Sequence, residues 1–176
     1  MSQRRCSLEL RLNQFSIVWA KKLHKQLFNN IKFTPKDAKG NYTIIPTLNN
    51  KRLSLIDVGA FKKVYFLSKQ AVLKICRDDS SFDLEIKKYR LAMKIDKTIV
   101  AKILAHDKSN CAIIQERVST NDDYINQTNK KTDKRRLCSI RKVCTRLNLF
   151  DVKLEHNFYR NIGVKRRKLV IYDFGV

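Results

Sequence analysis

The sequence predicts an α+β fold: an antiparallel meander of three strands, a helix and two further strands, with an amphipathic helix before them and a short helix and two strands after them. Three observations predict this. Apolar runs between residues 53 and 76 are separated by short polar or glycine-containing turns, as in an antiparallel meander. A helical apolar period then occupies residues 82–95. Two further strand-like runs, 99–105 and 111–118, flank the polar turn HDKSN.

In chain order, residues 7–31 carry Leu8, Leu12, Phe15, Trp19, Leu23, Leu27 and Ile31 at spacings of three and four, which is one stripe of a helix. Lys21, Lys22 and Lys25 fall mostly off the stripe, which is expected to pack against the domain. A basic amphipathic helix of this kind also suits a membrane surface. Residues 34–50 hold both prolines and one glycine, so a linker is expected there, with a short strand at 42–45. Strands follow at 53–58, 63–67 and 71–76, the last being AVLKIC, apolar around one lysine. Ser81 is expected to cap the next helix, whose apolar face is Phe82, Ile86, Tyr89 and Met93. Residues 119–136 form a polar connector ending in KKTDKRR. A short helix at 137–147 turns Leu137, Ile140, Cys144 and Leu147 to one side. Strands near 161–164 and at 169–172 flank the basic turn KRRK. The expected organisation is helix and linker in 1–50, a sheet lobe in 51–118 and a shortened lobe in 119–176.

Lysine and arginine number 38 against 16 acids, a net charge of +22. Such a field attracts polyanions: nucleic acid, anionic membrane, acidic protein or nucleotide phosphate. The five cysteines are odd in number and contain no C-x-x-C pair. That argues against a disulfide framework or a zinc site and for a reducing, intracellular compartment. No apolar run is long enough to cross a bilayer, and the N-terminus lacks the apolar core of a secretory signal.

Four segments carry candidate chemistry. IDVGAFKKVY, residues 56–65, sets one glycine in a strand-to-strand turn, where backbone amides can approach phosphates without an intervening Cβ. Lys74, among apolar strand residues, needs an anionic partner, because an isolated buried ammonium is expensive. Glu85 in FDLEIKKY is the first candidate and Asp83 the alternative. CAIIQERV, residues 111–118, is an apolar strand with a polar end. LVIYDFGV, residues 169–176, delivers Asp173 from an apolar strand, and its carboxylate oxygen suits a hard cation.

In this order the segments resemble the protein-kinase-like superfamily, from about residue 53 to residue 176. The resemblance implies that fold, with a small lobe of five strands and one helix and a severely shortened large lobe. It also implies binding of ATP and Mg²⁺. Gly59 matches the middle glycine of the phosphate loop, with Asp57 and Lys62 in place of the outer two. Phe61 matches the aromatic flap residue and Val64 the residue covering the base. Lys74 matches the lysine on the α- and β-phosphates, paired with Glu85. Gln115 takes the gatekeeper position, and Glu116 to Val118 would offer backbone groups to adenine. Asp173, with Phe174 and Gly175, matches the D-F-G motif whose aspartate binds Mg²⁺.

The catalytic loop falls in LNLFDVKLEHNFYRNIGV, residues 147–164. Asp151 is the candidate base and Asn161 the second metal ligand, with His156 and Asn157 the alternatives in other registers. Leu149 and Phe150 stand where the family has histidine and arginine. One residue follows the D-F-G motif, so a form without activation segment or A-P-E motif is expected, similar to the compact kinases of viruses, phages and bacterial effectors. A viral form would act in host cytoplasm or nucleus. Three functions stand open: a phosphotransferase acting on a serine- or threonine-type hydroxyl of a protein substrate, a pseudokinase acting through contacts, and a basic nucleic-acid binder using KKTDKRR and KRRK.

Overall fold

The computed structural model describes residues 30–33, 46–120, 128, 131, 134–149 and 161–174. They form an α+β structure of mostly antiparallel strands and two α-helices. The chain divides into two units, Met1–Leu53 and Ser54–Val176.

In the first unit three two-residue strands, β1 (Ile31–Lys32), β2 (Thr47–Leu48) and β3 (Lys51–Arg52), pair antiparallel in that order. Asn49 and Asn50, at φ 51° and 62°, turn β2 into β3. Two left-handed residues make the hairpin turn whose twist matches its strands, and asparagine tolerates that region. This corrects two expectations. Residues 47–50 belong to a hairpin rather than a linker, and Ile31 lies in a strand rather than at a helix end. The rest of the expected N-terminal helix and the strand at 42–45 fall outside the described residues.

The second unit is built on a five-stranded antiparallel sheet in the order β4-β5-β6-β8-β7. Its strands are β4 (Leu55–Val58), β5 (Lys62–Phe66), β6 (Ala71–Cys76), β7 (Ile103–Asp107) and β8 (Ala112–Glu116). β6 is buried along its whole length, which explains why AVLKIC carries apolar residues on both faces. Ser68 shapes the turn before β6, its Oγ accepting from the amides of Gln70 and Ala71.

Helix α1 (Asp79–Asp96) follows β6. Its N-cap is Asp78, not Ser81: the Asp78 carboxylate accepts from the Ser81 amide at 2.8 Å and from the Ser81 hydroxyl at 2.7 Å. The helix therefore starts three residues ahead of its first buried aromatic, Phe82. After α1 the chain makes a 3₁₀ turn, Lys97–Ile99, held by Asp96 accepting from Thr98 N at 2.9 Å. The strand expected from residue 99 consequently begins at Ile103.

Helix α2 (Lys134–Leu147) ends in a paired cap. Asn148 is left-handed at φ 48° and donates to the Thr145 carbonyl, while Leu149 donates to the Cys144 carbonyl. Leu149 is buried beside Cys144 in the same apolar cluster. The last pair, β9 (Ile162–Lys165) and β10 (Lys168–Ile171), is a hairpin turned by Arg166 and Arg167.

Among the described residues two apolar clusters lie in this unit. Phe82 and Ile86 pack with Cys76, Cys111 and Ile113. Ala92 joins Ile140, Val143, Cys144 and Leu147 of α2, the β9–β10 residues Ile162, Val164, Leu169 and Ile171, and Phe174. Successive turns of α1 thus serve both clusters, with Glu85 buried on the same helix. Two bridges outside the strands, Val100–Ile171 and Ser119–Val164, tie the hairpin to the segments that flank β7 and β8. Among the described residues no helix is long and apolar enough to cross a membrane.

Candidate functional site

Strand register decides which side chains meet. In an antiparallel pair, residues directly opposite each other point to the same face. Val64 lies opposite Lys74 and Val72 opposite Gln115, so these four share one face of β5, β6 and β8. That face lines a cleft of about 630 Å³, within the range of small-molecule sites. Its lining also includes Asp57, Gly59, Lys62, Glu116, Arg117, Val118, Tyr172 and Asp173.

Lys74 is buried, with its side chain only 2% exposed. Its Nζ donates to Glu85 Oε1 and to the Tyr172 carbonyl, each at 2.8 Å. Glu85 is 1% exposed, so each charge supplies what the other needs for burial. Asp83, the alternative partner, instead pairs with Lys108 on the surface at 2.8 Å. Helix geometry explains the difference, because Glu85 falls between the buried residues Phe82 and Ile86 while Asp83 faces outward.

A second ammonium enters the same cluster. Lys62 opens β5 opposite Cys76, two residues before Val64 and on the same face. Its Nζ donates to Glu85 Oε2 at 2.6 Å and also to Asp173 Oδ1. Burial by itself would lower the ionisation of this lysine; the charges of Glu85 and Asp173 and their hydrogen bonds outweigh it and hold Lys62 protonated well above the usual lysine range. Lys62 also borders a smaller cavity of about 250 Å³ behind the loop, with Phe61, Cys76, Arg77 and Glu85. Phe61 lines this smaller cavity, its ring 4.9 Å from the Arg77 guanidinium. Burial, and then the Glu85 charge, push the Cys76 thiol up to about 12.

At the other end of the cleft Gln115 is buried and donates from Nε2 to the Ala101 carbonyl at 3.1 Å. The Glu116 amide donates to Lys102 O at 2.9 Å and the Arg117 amide to Gln70 O at 2.7 Å. Of the three amides in this stretch, that of Val118 remains the candidate donor to a bound base. The Glu116 carboxylate accepts from the Lys102 amide at 2.8 Å and pairs with Lys165. Ser119 and Val164 exchange both backbone hydrogen bonds, at 2.9 and 2.8 Å. Gly163 permits this approach: a Cβ there would meet Val118 Cγ2 at 2.6 Å and Ser119 O at 2.8 Å.

Asp173 leaves β10 through Tyr172, whose amide donates to the Asn161 carbonyl at 3.0 Å. The Asn161 side chain donates from Nδ2 to the Leu149 carbonyl. Phe174 is fully buried, edge-on to Tyr89 of α1 at a centroid distance of 5.7 Å. A hard divalent cation wants several oxygen ligands. Here one Asp173 oxygen already holds the Lys62 ammonium, and the Asn161 amide is directed at a backbone carbonyl. As arranged, the Asp173 donor set does not fit Mg²⁺ unless Lys62 is displaced. Asp151, His156, Asn157 and Gly175 lie outside the described residues.

Lys62 is the site residue that sequence reasoning missed, having been read only as a replaced glycine. The available signal was its spacing of two from Val64, which puts both on the cleft face once residues 62–66 are a strand. No protein-family model matches the chain, and no curated protein matches its sequence.

Proposed function

We propose that the chain is a phosphotransferase of the protein-kinase-like kind, taking ATP in the cleft and a serine- or threonine-type hydroxyl as acceptor. One observation carries this reading: the buried Lys74–Glu85 ion pair opens onto a cleft of about 630 Å³ that Asp173 also lines. A buried lysine–carboxylate pair next to a second carboxylate suits polyphosphate recognition, in which positioning and charge do most of the catalytic work. The element order supports the reading: strand, glycine turn, two strands, helix, two strands. So does Phe174, which anchors the residue next to Asp173 against α1.

Under this proposal Lys74 binds the α- and β-phosphates and Glu85 fixes its position. Val64 and Val72 form apolar contacts for the base, and the Val118 amide donates to it. Gln115 closes the inner end. Asp151 or His156 supplies the base that orients the acceptor hydroxyl, with Asn161 or Asn157 beside it. Mg²⁺, when bound, would neutralise phosphate charge, and Asp173 would hold it in competition with the Lys62 ammonium. That competition favours a second reading, a pseudokinase that binds nucleotide without transferring phosphate.

Titration of the full chain with ATP, together with an assay of γ-phosphate transfer, tests both. Lys74→Ala is expected to weaken ATP binding by about tenfold or more through loss of charge-assisted hydrogen bonds. Asp173→Ala is expected to abolish transfer. Absence of ATP binding by the wild-type protein sinks the nucleotide reading. Binding without transfer selects the pseudokinase.

A further inference from the structure

The Glu85 carboxylate is shared by two lysines, whereas charge balance at a Lys74–Glu85 pair needs one. Oε1 accepts from Lys74 and Oε2 from Lys62, and Lys62 goes on to Asp173. Lys62 and Lys74 supply two positive charges and Glu85 and Asp173 two negative ones, so the cluster is neutral. Without Lys62 the three remaining groups, Lys74, Glu85 and Asp173, would sum to one negative charge, and Lys88 would be the cation left acting on Asp173. An incoming polyphosphate would then meet repulsion unless a cation came with it.

The geometry points to Lys62 as a resident cation of the cleft, which lets the site bind a nucleoside triphosphate with little dependence on divalent metal. This rests on the nucleotide reading above and deepens it. Three features make Lys62 suited to the role. It is tethered at the loop, where the Gly59 amide donates to the Lys62 carbonyl at 2.9 Å, so the ammonium is delivered to the site by the fold rather than by diffusion. It points into the cleft by register, on the face that carries Val64 and Lys74. Its four-carbon stem can swing the ammonium from Asp173 to a phosphate oxygen while the strand stays in place.

In the free protein the ammonium bridges the two carboxylates, while Lys74 supplies the second positive charge. With nucleotide bound, phosphate oxygens replace Asp173 as acceptors for one or more of its three N–H donors. Only hydrogen bonds are exchanged. A divalent cation at Asp173 has to displace the same ammonium, so metal and Lys62 are alternatives at that carboxylate.

The test is calorimetric titration of the full chain with ATP, once in excess Mg²⁺ and once in EDTA. Wild type is expected to bind with affinities within about threefold of each other. Lys62→Gly, which restores the small residue at this loop position, and Lys62→Met, which keeps the stem without the charge, are expected to lose about tenfold or more in EDTA. In Mg²⁺ both are expected to lose less than they do in EDTA, because the metal supplies part of the positive charge that the ammonium supplied. A wild-type affinity that falls tenfold or more on removing Mg²⁺ overturns the inference and leaves the nucleotide reading intact. Equal affinities in EDTA for wild type and a folded Lys62 variant also overturn it. No ATP binding in either buffer overturns both.

Discussion

Glu85 is the residue on which the charged cluster depends, because its two oxygens serve two separate ammoniums. Removing it leaves Lys74, 2% exposed, without a carboxylate. Breaking a buried pair from one side costs about 3–5 kcal/mol, and this is the expected effect of Glu85→Ala on unfolding free energy. Replacing both partners by apolar groups of similar size removes the charge together with its counter-charge. The double variant Lys74→Met with Glu85→Leu is therefore expected to be more stable than either Lys74→Met or Glu85→Leu alone. Chemical denaturation of these two single variants and the double variant measures the coupling. Simple additivity would mean that the pair is not buried as described.

Capping and turn chemistry set the limits of what could be read from the chain. Asp78 and Ser81 are both good N-cap types three residues apart, and the periodic apolar signal starts only at Phe82. Pattern alone therefore placed the helix start at Ser81, although Asp78 caps the helix through the Ser81 amide. The Ser81 amide, then its hydroxyl, hold the Asp78 carboxyl down to about 2, which is the expected sign for a carboxylate used as a cap. The apolar strand AVLKIC was legible because β6 is buried on both sides. The spacing of two from Val64 put Lys62 on the cleft face, but its contact with Glu85 and Asp173 was not legible, because it depends on which residues β5, α1 and the end of β10 bring together. The KRRK turn was legible as a turn but not in type. Arg166 and Arg167 both take left-handed φ, 49° and 61°, where asparagine and glycine are far more at ease. Exchanging them, Arg166→Asn with Arg167→Gly, is expected to raise stability by about 1 kcal/mol through relief of that strain. A thermal melt that stays the same or falls would show that the arginine side chains stabilise the hairpin by contacts outweighing their backbone cost.

The net charge of +22 attracts polyanions to the chain as a whole, but the two cleft lysines, Lys62 and Lys74, are held in ion pairs with Glu85 and Asp173. Long-range attraction and local recognition are thus separable, and high salt should weaken the first more than the second. The same separation holds for folding. Of the described buried apolar residues, only Ile31 and Pro46 belong to the Met1–Leu53 unit. Both apolar clusters, the five-stranded sheet, α1, α2 and all the described cleft residues belong to Ser54–Val176. A unit holding its own core is expected to fold by itself. A chain limited to residues 54–176 should therefore unfold in one cooperative thermal transition and bind ATP within about threefold of the full chain. Calorimetric melting and titration of the two proteins side by side make the comparison. Loss of the cooperative transition would show that residues 54–176 do not hold a self-sufficient core. A retained transition with lost ATP binding would instead make the first unit a contributor to the cleft.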